Sequence, residues 1–401
     1  MAVQVEWLTL PERLEQSRLP MPPSTADFLQ LSQLGNLITS LFWGTNDFYE
    51  SPQEKLAGAQ LRPDLITRYA VARLEDGGPD DLDADGRVIG YGVLRMPQDE
   101  GATTAQAWVG VHPGFRRAGV GTAVAEVLEQ GAREAGRDVL QSWTDHLLLD
   151  PEAVGAGPVY VRGESLDTGE TPAAAPAGGE PQGKVPSTAD PTRADAAFAR
   201  SQGFENAQVE LVSVLDLASA PGVAQGIISR PELSGSTQAE EYEVIGWTGD
   251  CPEEHAEAFA ELMGRMAADA PSGDLTLDAE DWDVARLRRM EQAREAEGLV
   301  VITAAALHRA TGRIVGHSDI ETYAYLPQAA YQANTLVHPE HRGHRLALVL
   351  KAHNIARLLQ VRPEAERLYT WNAVENESIH RTNRDLGFVP AAVMAAWQKR
   401  I

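Results

Sequence analysis

The sequence predicts an α/β (α+β) protein built from two domains of one fold, and three observations carry that expectation. The chain has 401 residues, enough for two full hydrophobic cores. Its halves echo one another: Val111-His112-Pro113-Gly114-Phe115-Arg116-Arg117 returns as Val337-His338-Pro339-Glu340-His341-Arg342-Gly343, and Gly203-Phe204 returns as Gly387-Phe388. Around these landmarks each half runs in the order β-β-β-α-β-α-β, which points to sheets with helices packed across them.

In the first half, Arg68 to Leu74 and Arg87 to Arg95 read as strands joined by an acidic, glycine-bearing turn. Gln106 to Val111 is a third strand, stopped by Pro113. A helix is predicted from Gly119 to Gly136, because Val120, Val124, Val127 and Leu128 share one face. Val139 to Trp143 is a strand, Ala194 to Ser201 a short helix, and Gln208 to Leu215 a strand. The second half opens with a strand from Tyr242 to Trp247. Val300 to His308 and Ile314 to Tyr323 then pair around Thr311-Gly312, and Ala333 to Val337 leads into the repeated motif. Leu348, Ala352, Ile355 and Leu359 mark a helix face; Arg367 to Trp371 is a strand and Asn376 to Asp385 a helix. Ala392 to Gln398 closes the chain as a strand or short helix.

The two landmarks are 92 residues apart in the first half and 50 in the second, so the first half holds 42 extra residues. They fall between about 150 and 191, where Pro, Gly, Ala, Ser and acidic residues bury little apolar surface and predict a mobile insertion. The expected domains are therefore residues 1–219, a linker over 220–240, and residues 241–401.

The charge balance excludes several classes. With 34 basic and 58 acidic residues the net charge is −24, so the chain repels polyanions and is expected to bind no nucleic acid. One cysteine, Cys251, leaves no room for a disulfide framework or a thiolate-rich metal site. The longest apolar run, Leu299 to Leu307, is about half of what a membrane helix needs. With no basic n-region at the start, the expectation is a cytoplasmic protein off the membrane, a monomer or homodimer.

The segment that carries chemistry runs from Val109 and Gly110 through Val111 and on through Arg116, Arg117, Ala118, Gly119, Val120, Gly121 and Thr122. Glycines at a strand–turn–helix junction let a ligand approach unpaired N–H groups of the first helical turn. The helix dipole and two arginines add positive potential, which suits a diphosphate. It is neither a dinucleotide fingerprint, since Val124 stands where a third glycine belongs, nor a P-loop, since no Gly-Lys-Ser/Thr follows.

This pattern, Val111-x-Pro113-x-x-Arg116-x-x-Gly119-x-Gly121, resembles the acyl-CoA-binding motif of the GCN5-related N-acetyltransferases (GNAT). Ala197 to Phe204 resembles the family's closing helix, and the double occurrence is similar to tandem enzymes of high-GC actinobacteria. The resemblance implies two GNAT-like domains, each a mixed, mostly antiparallel sheet flanked by helices. It implies acetyl-CoA as co-substrate without a metal, and an acetyl transfer to a primary amine of a small molecule or peptide. Arg342, Gly343, His344, Arg345, Leu346 and Ala347 repeat the motif with Arg345 in place of its middle glycine, and Asn372 and Asn376 resemble the family's segment after the next strand. A splayed strand would offer Val109, Gly110 and Val111 to the thioester carbonyl. Where many members place a tyrosine proton donor, the halves hold Ala199 and Asn383. The strands before the motifs offer Thr104, Gln106, Tyr331, Gln332 and Asn334 but no carboxylate, so His112, a carboxylate elsewhere, or water stands as base. A mycothiol-synthase-like acyltransferase and a non-catalytic acyl-CoA sensor or scaffold are the alternatives.

Three further patterns read as structural. His338, His341 and His344 have zinc-like spacing, but their loop position argues against convergence. Asp81, Asp83, Asp85 and Gly86 copy the start of a calcium loop without the acid at its end. Trp247, Trp282 and Trp371 are expected in a core or a domain interface.

Overall fold

The computed structural model describes residues 3–14, 22–62, 64–74, 87–147, 193–229, 241–265 and 271–401. The expected insertion at 150–191 and the acidic turn at 81–86 lie outside them. Among the described residues twelve strands form one sheet: β1 (Val3–Trp7), β2 (Leu65–Leu74), β3 (Gly90–Pro97), β4 (Thr104–Val111), β5 (Val139–Leu147), β6 (Glu205–Asp216), β7 (Tyr242–Thr248), β8 (Leu299–His308), β9 (Arg313–Tyr323), β10 (Ala329–Val337), β11 (Arg367–Ala373) and β12 (Val389–Arg400). The closing segment is thus a strand. Only β4–β5 and β10–β11 pair in parallel; the other neighbours are antiparallel.

The helices are α1 (Pro23–Trp43), α2 (Pro52–Gln60), α3 (Val120–Glu134), α4 (Ala194–Ser201), α5 (Ala220–Ile228), α6 (Glu253–Met263), α7 (Val284–Ala296), α8 (Leu346–Val361) and α9 (Glu377–Leu386). The predicted face of α3 is buried: Val120, Val124 and Leu128 pack with Leu94, Ile89 and Ala107 of the sheet. On the opposite face α1 and α2 press Phe28, Leu31 and Leu56 onto Tyr69, Val71 and Val93. In the second half α8 takes the place of α3, with Leu348, Ala352, Ile355 and Leu358 buried, and α6 and α7 cover the other face. Sequence periodicity does not mark α1, α2, α6 or α7. Exposed Leu37 and Leu41 blur the apolar stripe of α1, Ala and Glu dominate α6, and Arg with Ala dominates α7.

Neither half closes its own sheet. The strand order is β1-β2-β3-β4-β5-β12-β6-β11-β10-β9-β8-β7, so β12 of the second half lies against β5 and β6 of the first half lies against β11. The two exchanged strands also pair with each other, Met394 opposite Glu210. Burial follows the exchange. Trp397, fully buried, joins the first-half core beside Val124 and Phe204, and its indole N–H donates to Thr144 Oγ1 at 2.7 Å. Leu215 and Leu217 join the second-half core. Of the expected linker, residues 220–228 are α5, whose Ala220, Ala224 and Ile227 are buried in that same core.

A second staple ties the halves. Asp47, just after α1, is buried and receives Arg367 in a bidentate pair, with Nη2 to Oδ1 at 2.8 Å. Tyr369 donates its hydroxyl to the same carboxylate at 2.7 Å, and Tyr331 donates to the Asp47 carbonyl. Burial alone would raise this carboxyl, but the hydrogen bonds from Arg367 and Tyr369 outweigh it and hold the pKa below the usual value.

Candidate functional site

Pairing between β4 and β5 covers Thr104–Gln106 against Val139–Gln141 and then stops. Beyond it the strands diverge, leaving the β5-facing edge of β4 from Ala107 to Val111 without a ladder partner on that side. Trp108 and Trp143 stack across the opening, ring centroids 5.3 Å apart. Gly110 is glycine because Tyr91 lies over it: a Cβ there would overlap the phenol ring. Burial pushes the Tyr91 hydroxyl up to about 12.

At the end of β4 the chain makes one 3-10 turn over Pro113–Phe115, and the His112 Nδ1 caps it by accepting from Gly114 N–H at 3.2 Å. Arg116 then donates from Nε to the Val111 carbonyl at 3.3 Å, which fixes the loop's return to the strand. Arg117 and Gly119 both have left-handed backbones, φ +65° and +85°. Gly119 occupies the position before α3 with no side chain to cap it, so Val120, Gly121 and Thr122 begin the helix without intrahelical acceptors for their N–H groups. No atom lies within 4 Å of the place where a Gly119 Cβ would stand, and Arg116, Arg117, Ala118 and Gly119 are all exposed. The loop is open to solvent and sets two guanidiniums beside the positive end of α3. Gly121 faces inward instead, where a Cβ would meet Phe198 of α4 at 3.3 Å.

The second half repeats this geometry nearly atom for atom. His338 Nδ1 accepts from Glu340 N–H at 3.4 Å, Arg342 Nε donates to the Val337 carbonyl at 3.1 Å, and Gly343 and Arg345 are left-handed at φ +88° and +55°. Arg345 therefore holds a conformation that favours glycine. Its guanidinium pairs with Asp385 of α9 at 2.8 Å, so its charge is turned to a carboxylate of the protein. His344 is exposed; Leu346 is buried and Ala347 half-buried in the first turn of α8. The β10–β11 ladder also opens, after Gln332 and Thr370, and a bulge between Gln332 and Thr335 kinks β10 where β4 has none.

The two predicted asparagines have protein partners. Asn376 caps α9 by accepting from Ile379 N–H at 3.3 Å. Asn372 Oδ1 accepts from Asn383 Nδ2 at 2.7 Å, and Asn383 in turn accepts from the Lys351 ammonium at 2.6 Å. Lys351 is fully buried on α8, and burial drives its pKa down to about 7. Sequence reasoning missed this lysine because it sits at an ordinary position in an apolar helical pattern.

Three of the polar residues those strands offer, and one ring nitrogen of the candidate base His112, are engaged within the protein. Thr104 donates to Asp278 at 2.7 Å, Gln332 to Ser318 Oγ at 3.0 Å, Tyr331 to Asp47, and His112 Nδ1 serves as a cap. The histidine pattern needs a correction: His338 and His341 do converge, together with Glu340, their ligand atoms all within 4.8 Å of one another. The 3-10 turn over Pro339–His341 brings them round; His344 stands against Tyr242 instead, centroids 5.6 Å apart. Burial and the neighbouring imidazoles of His308 and His338 lower the His341 pKa. Trp247 lies in the core, as expected, whereas Trp371 at the join between halves also lines a cleft.

Residues 43–149, which hold the β4–β5 opening and the first loop, match the family model described as the acetyltransferase (GNAT) family. The first half contains a GNAT domain. The whole chain has the tandem GNAT fold, because a tandem GNAT protein from the clavulanic acid biosynthesis pathway superposes with a TM-score of 0.67 at 22% identity, covering 99% of this chain and 98% of that one. A GCN5-related N-acetyltransferase from Sphaerobacter thermophilus is similar at TM-score 0.57 and 15% identity, over 98% of this chain and 97% of that one. A GCN5-related glucosamine N-acetyltransferase region of a fungal multi-domain GH3 beta-N-acetylglucosaminidase gives 0.57 at 14% identity, over 99% of this chain and 38% of that one. Comparison with curated proteins yields no match. The family-model match over residues 43–149 supports acyl transfer as the general chemistry. Among the described residues no helix is long and apolar enough to cross a membrane.

Proposed function

We propose that this chain is an N-acyltransferase that takes acetyl-CoA at the first-half loop and passes the acetyl group to a primary amine of a small molecule or peptide. The observation that carries the reading is the uncapped head of α3 behind left-handed Arg117 and Gly119, open to solvent beside the β4–β5 gap. The amides of Val120, Gly121 and Thr122 would hold the diphosphate, with Arg116 and Arg117 adding charge. The free edge of β4 at Val109 to Val111 would align the pantetheine and polarise the thioester carbonyl. The amine nitrogen attacks that carbonyl carbon, the C–S bond breaks, and the proton the nitrogen sheds passes through water to the departing thiolate, so coenzyme A leaves as free thiol.

Calorimetry with coenzyme A tests the donor site. Gly119→Val places a branched side chain over the diphosphate and is expected to weaken binding at least thirtyfold, roughly 2 kcal/mol. Unchanged affinity in a folded variant overturns the assignment. For the second half a different reading is favoured by the Arg345–Asp385 pair: a loop kept as structure rather than as a donor site. Arg342→Ala should then leave coenzyme A affinity and the rate of free-thiol release unchanged.

A further inference from the structure

Beside the β4–β5 opening, on the face covered by α1, lies a cleft of about 340 Å³ that neither motif predicts. It is lined by Thr39 and Trp43 of α1, Phe48 after it, Asp145 of β5, Trp371 of β11 and Met394 of β12. Both halves are therefore needed to build it. Its walls are almost wholly apolar, with three aromatic rings around a single carboxylate. Phe48 sits 4.5 Å from Trp43 and 6.1 Å from Trp371, centroid to centroid, so the rings form a continuous wall.

The cleft's position is fixed by strand register. Asp145 pairs with Met394 and Trp143 with Ala396, so Trp143 and Asp145 project from the same face of β5. Two residues of strand separate them, about 7 Å. Trp143 is the ring stacked on Trp108 across the gap through which an acyl chain would reach this face. Asp145 has no basic partner among the described residues. Burial pushes its pKa up to about 6, the nearby Asp195 adds to the effect, and a hydrogen-bonding interaction with Trp43 opposes it. Next to it on the same face, across Met394, stands Glu210, raised to about 7 by burial and by Glu375.

We infer that this cleft is the acceptor site, and that it takes a primary amine carried on an aryl or alkyl body, with Asp145 receiving the ammonium group. The assignment rests on the acyltransferase reading above and names its substrate class. A lone carboxylate inside an aromatic box has the complementarity of an organic ammonium: ion pairing at one point and cation–π and apolar contact around it. A polyanion finds no positive side chain among the lining residues and is repelled by the carboxylate. The same carboxylate then serves the reaction. It takes one proton from the ammonium nitrogen, freeing the lone pair that forms the C–N bond; as the C–S bond breaks, the second N–H proton passes through water to the departing thiolate, so coenzyme A leaves as the free thiol and the third stays on the amide nitrogen. The apolar walls lower the ammonium's pKa while they raise the carboxyl's, which narrows the gap the proton must cross.

The test uses the full chain and 2-phenylethylamine, with 2-phenylethanol as the uncharged analogue, by calorimetry in the absence of any acyl donor. The amine is expected to saturate one site and the alcohol to bind at least tenfold more weakly. Asp145→Asn should abolish that preference and Thr39→Trp, which fills the cleft from an accessible helix, should abolish binding. Melting curves establish that each variant is folded, and either variant alone is enough to decide the outcome. In turnover with acetyl-CoA, Asp145→Asn should lower kcat at least a hundredfold while the acetyl-CoA KM stays within twofold. An amine that does not bind, or that binds Asp145→Asn and the wild type alike, overturns the assignment. If the amine binds as described but coenzyme A does not, the transfer reading fails and the cleft's ligand class stands; if coenzyme A binds and the amine does not, the reverse holds.

Discussion

Trp397→Ala is the sharpest probe of how the two halves depend on one another. The residue is four positions from the end of the second half, yet its ring is fully buried in the first-half core among Val124, Leu128 and Phe204. Truncating a buried tryptophan to alanine costs about 3–5 kcal/mol through lost transfer energy and the cavity left behind. The mutation also removes the 2.7 Å hydrogen bond to Thr144 and the stacking of Arg200 at 5.3 Å, worth together roughly 1–2 kcal/mol. A loss of about 5 kcal/mol is a large part of a typical domain's stability. The informative assay is a guanidinium titration read by two probes. Tryptophan fluorescence reports globally, while thiol labelling of Cys251, the single cysteine, reports from a buried position in the second-half core. Because β6 and β12 are exchanged, both probes should shift to lower denaturant together. If Cys251 keeps its wild-type midpoint while fluorescence shifts, the halves unfold independently and the exchange does not couple them.

Asp47→Ala should destabilise by about 2–3 kcal/mol, since it removes the buried carboxylate to which Arg367 and Tyr369 both donate, although Arg367 keeps its pair with Glu366; thermal melts would measure it, and a loss under about 1 kcal/mol would contradict the staple. Lys351 sets a pH dependence. Its folded pKa, about 7, lies below the unfolded value, so the unfolded state binds the extra proton between about pH 7 and 10 and stability should rise across that window. Lys351→Met should remove that rise, and a wild-type stability that is flat between about pH 7 and 9 would refute a neutral buried lysine.

Much of the donor loop could be read from sequence because its chemistry needs particular residues. A glycine at φ +85°, arginines that bond back to the strand, and a proline that ends it leave a spaced signature, and the signature appears twice. Strands β2 to β12 were legible to within about four residues because apolar content marks them, whereas β1 at Val3–Trp7 was not read as a strand. Which strand pairs with which was not legible. β6 and β12 are alike in length and apolar content, and nothing local tells Val212 that it will face Trp371 rather than a residue of β5. The acceptor cleft was hidden for a related reason. Its six residues come from five places between positions 39 and 394, with no spacing that links them, and Asp145 is one acid in an otherwise ordinary strand. Lys351 and Asn383 lie 32 positions apart and meet only when α8 and α9 pack together.

The exchanged strands also set an order of events during synthesis. When β6 leaves the ribosome, the strand that will flank it on one side, β11, is about 150 residues behind, and β12 is further still. Until they arrive, β5 and β6 present open edges to solvent or to a second nascent chain, a condition that invites capture by chaperones or mispairing. Residues 389–400, which put Trp397 into the first-half core and fill the space between β5 and β6, follow every other described strand in the chain, so a chain cut before Val389 would leave the first-half core open although all its own strands were made.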